Sequence, residues 1–171
     1  MAESFIAGVL KEGLFSSDQI YVSDPIADRR KYLTDTYGVN CLKENIDILE
    51  KKGKILLAVK PQTLPEVYKD LKGKISPERP VISIVAGSKS SDLSKGLEHQ
   101  QIIRVMPNTP SQIGKGMLVW TSTDEVDPTA IGEIASILKT LGEEYYVHDE
   151  KYMDMATALS ASGPAYVFLF I

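Results

Sequence analysis

Lys54-Ile55-Leu56-Leu57-Ala58-Val59-Lys60-Pro61 places five apolar residues in a row and then stops at a proline. A strand with one wet face alternates apolar and polar residues. A strand covered on both faces does not, so this unbroken run reads as a buried parallel strand. Val81 to Val85 repeats the signature and ends at Ala86-Gly87, and Gln101 to Met106 gives another strand. Leu64 to Leu71 and Lys89 to Leu97 fill the intervals with helical spacing. Strands alternating with helices in this way predict βαβ units in an α/β, doubly wound, mainly parallel sheet.

The pattern extends to both sides. Upstream, Phe5, Ile6, Val9, Leu10 and Leu14 recur at helical spacing, with Gly13 as a stop. A short strand over Gln19 to Ser23, a turn at Asp24-Pro25 and a helix from Ala27 to Tyr37 follow, ended by Gly38. A weak strand at Val39 to Leu42 leads to a polar helix over Glu44 to Lys51. Downstream come a strand at Met117 to Thr121, a helix at Pro128 to Leu141 with Gly142 as its stop, and a strand at Glu143 to Val147. From Asp149 onward only helical, increasingly apolar sequence remains. A boundary near His148-Asp149 therefore divides an α/β domain, 1–148, from the beginning of an all-helical one, 149–171.

Composition narrows the function. The chain has 171 residues, 43% of them hydrophobic and 25% charged, enough to bury a core. Its net charge is −4, its pI about 5.2, and no Lys or Arg stripe occurs, which argues against nucleic acid as a partner. Cys41 is the single cysteine. That excludes an internal disulfide and a cysteine-rich metal site, and it fits a reducing cytoplasm. The apolar stretch Ala156 to Ile171 is interrupted by Ser160, Ser162, Gly163 and Pro164 and falls short of the roughly 20 residues that span a bilayer. His99 and His148 have no partner at ligand spacing, so both are expected on the surface and no metal is assigned. Trp120, Tyr145 and Tyr146 are expected to pack.

In an open parallel sheet, ligands sit at the carboxyl ends of strands. Four such ends carry unusual residues: Ser23-Asp24-Pro25, Ala58-Val59-Lys60-Pro61, Ala86-Gly87-Ser88 and Met106-Pro107-Asn108-Thr109-Pro110. Any one alone is ordinary turn punctuation; four together favour a nucleotide site. Asp24 could hold a ribose 2′-hydroxyl or cap the following helix, and Arg29 and Arg30 could instead receive a 2′-phosphate, so the choice of coenzyme stays open. Lys60 suits a phosphate or ribose but equally a solvated strand end. Asn108, between prolines, offers a preset carboxamide, with an Asx turn to its own backbone as the competing role. Asp149 and Glu150 complement the dipole of the last helix.

Val105-Met106-Pro107-Asn108-Thr109-Pro110, Ala58-Val59-Lys60-Pro61 and Leu159-Ser160-Ala161-Ser162-Gly163-Pro164-Ala165-Tyr166 occur in this order, and together they resemble the pyrroline-5-carboxylate reductases. The resemblance covers essentially the whole chain. It implies a Rossmann-type domain binding NADPH (NADH being possible), followed by an all-helical domain that forms a homodimer, often assembled into decamers. It implies Met1, Asp24, Pro25, Asn45, Ala58, Val59, Lys60, Pro61, Ile84, Val85 and Ala86 along the cofactor path. It implies Glu150, Asn108 and Ser162 as the catalytic set, with Glu150 and Asn108 nearer the substrate side and Ser162 opening the turn into the helical domain. The reaction it implies is hydride transfer to the C=N carbon of the small imino acid 1-pyrroline-5-carboxylate, giving L-proline in the last step of proline biosynthesis. A non-catalytic homologue that binds nucleotide or only dimerises is the alternative. The Gly-rich turn that opens such a domain and the helices that end it have no counterpart among these residues, so a fragment is expected. Loss of the first strand would leave two apolar strand edges, poor solubility and weak NADPH binding.

Overall fold

The computed structural model describes residues 1–171. Helix α1 (Ala2–Lys11) opens the chain and is followed by β1 (Tyr21–Ser23), α2 (Ala27–Tyr37) and β2 (Asn40–Leu42). Then come β3 (Ile55–Leu57), α3 (Leu64–Leu71), β4 (Val81–Ser83), α4 (Ser90–Leu97) and β5 (Ile102–Met106). The α/β part closes with β6 (Gly116–Ser122), α5 (Pro128–Lys139) and β7 (Gly142–Tyr146). The tail is helical: α6 (Lys151–Ala156), a π-helical turn (Thr157–Ser162) and α7 (Gly163–Phe170).

Strands β3-β4-β5-β6-β7 form one sheet in that order, parallel throughout except for the antiparallel β5–β6 pair. Leu56, Ile82 and Ile103 stand in one row across β3, β4 and β5. Strands β1 and β2 pair in parallel as a second, two-stranded sheet, so β1 and β3 each keep one unpaired edge.

Successive strand residues point to opposite faces, and the core divides accordingly. Ile82, Ile103, Val105, Leu118 and Trp120 meet α1 and α5 through Phe5, Val9, Ala130, Ile134 and Leu138. Ile55, Leu57, Val81 and Ile102 meet α3 and α4 through Leu64, Val67, Leu93 and Leu97. The continuous apolar runs are therefore covered on both sides, as the segment at 54–61 predicts. Helix α1 joins the two sheets: Phe5 and Val9 enter the large core, while Ile6 packs with Leu33 and Val39 beside the small sheet.

Several expectations change. The polar helix expected over 44–51 is present as a 3-10 helix, Asn45–Glu50. There the carbonyls of Ile48 and Leu49 accept hydrogen bonds from the Arg79 guanidinium. Tyr145 is 65% exposed, because β7 is an edge strand and only alternate residues face inward. Tyr146 does pack, with its ring 4.8 Å from that of Trp120 in an edge-on arrangement.

His99 is 3% exposed rather than on the surface. Glu98, at φ 52°, ends α4 in the left-handed conformation and turns the chain inward. The imidazole Nε2 is buried without a partner, and burial lowers the ring below its ordinary value of 6.5. The unfolded chain thus takes up this proton before the folded chain does. Stability is fully present above about pH 6.5 and declines as pH falls toward the lower folded value, by at most about 1.4 kcal/mol per pH unit. His99→Gln is expected to flatten this slope in urea unfolding measured from about pH 7 to about pH 5. Equal slopes for the two proteins would contradict the assignment.

Candidate functional site

Because β3, β4 and β5 are adjacent and parallel, their carboxyl ends share one edge. That edge gathers Ala58–Pro61, Ile84–Ala86 and Asn108. Neighbouring strands lie about 4.8 Å apart, so the ends of β3 and β5 are separated by roughly 10 Å.

After β3, Ala58 and Val59 are half-buried and Lys60 is exposed at the start of a 3-10 turn, Pro61–Thr63. No ion pair engages Lys60, leaving its ammonium open to an anion. After β4, the Ile84 N–H continues the ladder to the Leu57 carbonyl at 3.0 Å, and Val85 is buried. Ala86 and Gly87 then emerge into solvent. Gly87 has φ 72°, and a Cβ there would meet nothing within 4 Å, so the backbone borders open space. This combination of an unpaired cation, an exposed backbone turn and apolar flanks suits the ribose, phosphate and ring of a nicotinamide coenzyme.

The small sheet contributes less accessible groups. The Asp24 carboxylate accepts the Ile26 N–H at 2.8 Å, an Asx turn just ahead of α2. Arg30 buttresses this turn by donating to the carbonyls of Asp24 (2.7 Å) and Pro25 (2.9 Å). Arg29 is committed elsewhere: it donates to Glu3 at 2.7 Å. Hydrogen bonds from Arg29 and Tyr37, together with one from Tyr32, hold the Glu3 carboxyl down to about 2. Asn45 accepts from Ser23 Oγ (2.9 Å) and donates to Asp70 (2.8 Å), so both ends of its amide are occupied. Met1 stands as the N-cap of α1, and no side chain caps that helix.

Across the edge lies the helical tail. Asn108 is extended (φ −121°, ψ 171°), and its Oδ1 accepts the Met117 N–H at 3.0 Å. That donor fixes the amide orientation, so Nδ2 donates to Ser160 Oγ at 3.0 Å. The Asn108 side chain thus bridges β6 and the tail rather than closing a turn on itself. Ser160 lies in the π-helical turn. Pro164 lacks an N–H, and its ring would strike the carbonyl of Ser160, four residues back, in a regular α-helix; the widened turn relieves this. Ser162 is exposed, and Ser160 is the serine that Asn108 reaches.

Glu150 is not a free acid. Its Oε1 accepts from the Ser90 N–H (2.8 Å), Ser90 Oγ (2.9 Å) and Arg104 Nη1 (3.0 Å). Burial acts to raise the carboxyl, but the Ser90 donors and the Arg104 guanidinium outweigh it, so Glu150 titrates below the usual carboxylate range. Arg104 and Ser160 are absent from the residues inferred from sequence. The available signal for Arg104 was a lone charge inside Ile102-Ile103-Arg104-Val105-Met106, an apolar strand.

Comparison with known proteins agrees with this architecture. Residues 1–87 match the family described as NADP oxidoreductase coenzyme F420-dependent. The whole chain is 38% identical to a pyrroline-5-carboxylate reductase of Synechocystis sp. and spans 63% of it. A solved pyrroline-5-carboxylate reductase from Coxiella burnetii superposes with a TM-score of 0.91 at 30% identity, over 99% of this chain and 63% of that one. The Plasmodium falciparum pyrroline carboxylate reductase, solved with NADP bound, gives 0.84 at 27% identity, over 98% and 61% respectively. The chain thus spans just under two thirds of the relatives it matches. With half of its residues covered by the family model and its full length alike in sequence and fold to these reductases, the chain belongs to the NADP oxidoreductase, coenzyme F420-dependent family.

Proposed function

We propose that this chain carries the coenzyme-binding layer and the first part of the substrate wall of an NAD(P)H-dependent reductase of 1-pyrroline-5-carboxylate. The observation that carries the reading is the shared edge of β3, β4 and β5. It presents Lys60, the Ala86-Gly87 turn and Asn108 together, with the Asn108 amide reaching the helical tail. Whole-length similarity to pyrroline-5-carboxylate reductases supports the choice of substrate.

In this reading Lys60 neutralises coenzyme charge, the Asp24-Pro25 turn meets the adenosine ribose, and Ile84–Ala86 flank the nicotinamide. A bound reduced nicotinamide supplies the hydride. The residues of the chain supply alignment, whose effect on rate is large because reacting atoms must approach to about 3–3.5 Å. Asn108 and Ser160 border the position of the imino acid, and Glu150 holds the tail in place. No strong general base is needed when the imine nitrogen arrives protonated. The test is NADPH consumption with 1-pyrroline-5-carboxylate and the appearance of proline. Nucleotide binding without turnover would instead favour a non-catalytic homologue.

The tail suggests the partner. α7 is apolar on every side, with Phe168, Leu169 and Phe170 75%, 80% and 90% exposed. A surface of this kind on a short helix needs a cover, and we assign it to a second copy of the chain. The boundary at 148/149 would then separate the coenzyme domain from a dimer-forming one, in the cytoplasmic setting that a single cysteine favours. No helix is long and apolar enough to cross a membrane. Phe168→Glu is expected to shift the molecule from dimer to monomer in sedimentation velocity. An unchanged mass would remove α7 from the interface.

A further inference from the structure

Arg104 is nearly fully buried, its side chain 4% exposed, on the face of β5 that also carries Ile102. Its guanidinium reaches Glu150 at 3.0 Å and Asp154 at 3.5 Å, which tie it to the first turn of α6 beside the fully buried Met153. Glu150 in turn accepts the Ser90 N–H. That amide opens α4 directly after the loop Ile84–Lys89, whose first three residues, Ile84–Ala86, are the ones proposed to flank the nicotinamide. Four residues beyond Arg104 the same chain reaches Asn108, which holds Ser160 of the tail.

The two attachments match in spacing. From Arg104 to Asn108 an extended chain covers about 13 Å. From Glu150 to Ser160 a helix covers about 15 Å. The tail therefore lies lengthwise along β5 and its extension, fastened at both ends.

We infer that Arg104 and Glu150 are a positioning pair: they set the longitudinal register of the helical tail on β5, and this brings Ser160 to Asn108 and the Ile84–Lys89 loop to the same edge. This inference rests on the proposed reductase function for its kinetic consequence, but not for its structural one. Glu150, the N-cap of α6, accepts both from the first N–H of α4 and from Arg104 on β5, and Arg104 also reaches Asp154 in the first turn of α6, so the pair links α4, β5 and α6. Loss of the charge frees one end of the tail while leaving the apolar contacts of Met153 in place.

The test uses the full chain with Arg104→Met, Arg104→Lys and Glu150→Gln, each checked by thermal unfolding. Arg104→Met is expected to lower kcat for 1-pyrroline-5-carboxylate by about ten- to a hundredfold, while the KM for NADPH stays within about threefold. Arg104→Lys, which keeps the charge, should recover part of the loss. The signature that a simple loss of stability would not produce is remote. The side-chain amide resonances of Asn108 should shift, and their exchange with solvent should quicken about tenfold, in the folded Glu150→Gln protein. An unchanged Asn108 amide with faster exchange only at Ser90 would reduce Glu150 to a helix cap and overturn the proposal. Unchanged kcat in folded Arg104→Met would do the same. If Arg104→Met does not fold, the other two variants carry both readouts. If the unaltered protein does not reduce the imine, the functional reading fails while the Asn108 signal still decides the register claim.

Discussion

Gly142→Ala should abolish cooperative folding near room temperature, or cost about 3–5 kcal/mol if a folded state survives. Gly142 begins β7 at φ 142°, a conformation that side chains with a Cβ rarely adopt. An added Cβ would lie 2.1 Å from the Gly116 carbonyl oxygen and 2.4 Å from its nitrogen. Gly116 cannot retreat: its own Cα faces Ser111, and its N–H donates to the Leu141 carbonyl at 2.8 Å. The obstacle is backbone on both sides, so side-chain repacking gives no relief, and the β6–β7 pairing from Gly116–Gly142 to Trp120–Tyr146 would open from its first rung. That pairing places Trp120 against Tyr146 over the main core, which is why the effect should be global. Urea unfolding followed by the single tryptophan would report it. Gly132, where a Cβ meets nothing within 4 Å, provides the control, and Gly132→Ala should be neutral or slightly stabilising. A Gly142→Ala protein with an unchanged midpoint would contradict the geometry.

The same glycine shows where sequence reading reaches its limit. In the sequence it closes a helical pattern and reads as a helix stop; in the structure α5 has already ended at Lys139, and the glycine serves a strand contact. Periodicity reports which residues are covered, so the runs at 54–59 and 81–85 and the alternation of strands and helices were legible, including their parallel sense. Motif order pointed to the carboxyl edge and to Asn108. Long-range polar pairing was not legible. Arg104 meets Glu150 46 residues away, and Asn108 meets Ser160 52 residues away, and neither spacing follows a local period. The burial of His99 is not legible in the sequence because it depends on the left-handed Glu98 before it, a conformation that glutamate rarely adopts. Ser160 and Ser162, two residues apart, project from nearly opposite sides of a helix, and which of them meets Asn108 is decided by how the tail docks, a long-range contact that a local motif does not carry.

On the proposed reductase reading, Asn108→Ala should lower kcat/KM for 1-pyrroline-5-carboxylate on the order of a hundredfold while leaving the fold intact. The side chain performs two tasks with two atoms. Oδ1 accepts the Met117 N–H, and Nδ2 donates to Ser160 Oγ. Because Nδ2 is the donor, the Ser160 hydroxyl keeps its own proton, free to point at a ligand on the shared edge. Asn108→Asp separates the tasks. A carboxylate still accepts from Met117, but it cannot donate to Ser160; it draws the serine proton toward itself and adds a negative charge beside an anionic substrate. If the free hydroxyl proton matters, Asn108→Asp should be impaired about as severely as Asn108→Ala, with the loss concentrated in the terms for the imino acid rather than for NADPH. If only the tie to β6 matters, Asn108→Asp should retain most of the rate. Ser160→Ala completes the cycle: combined with Asn108→Ala, it should cost little more than either change alone, since both remove the same bridge. Additive losses in the double variant would show that Asn108 and Ser160 act independently, and the edge would then need another link to the tail.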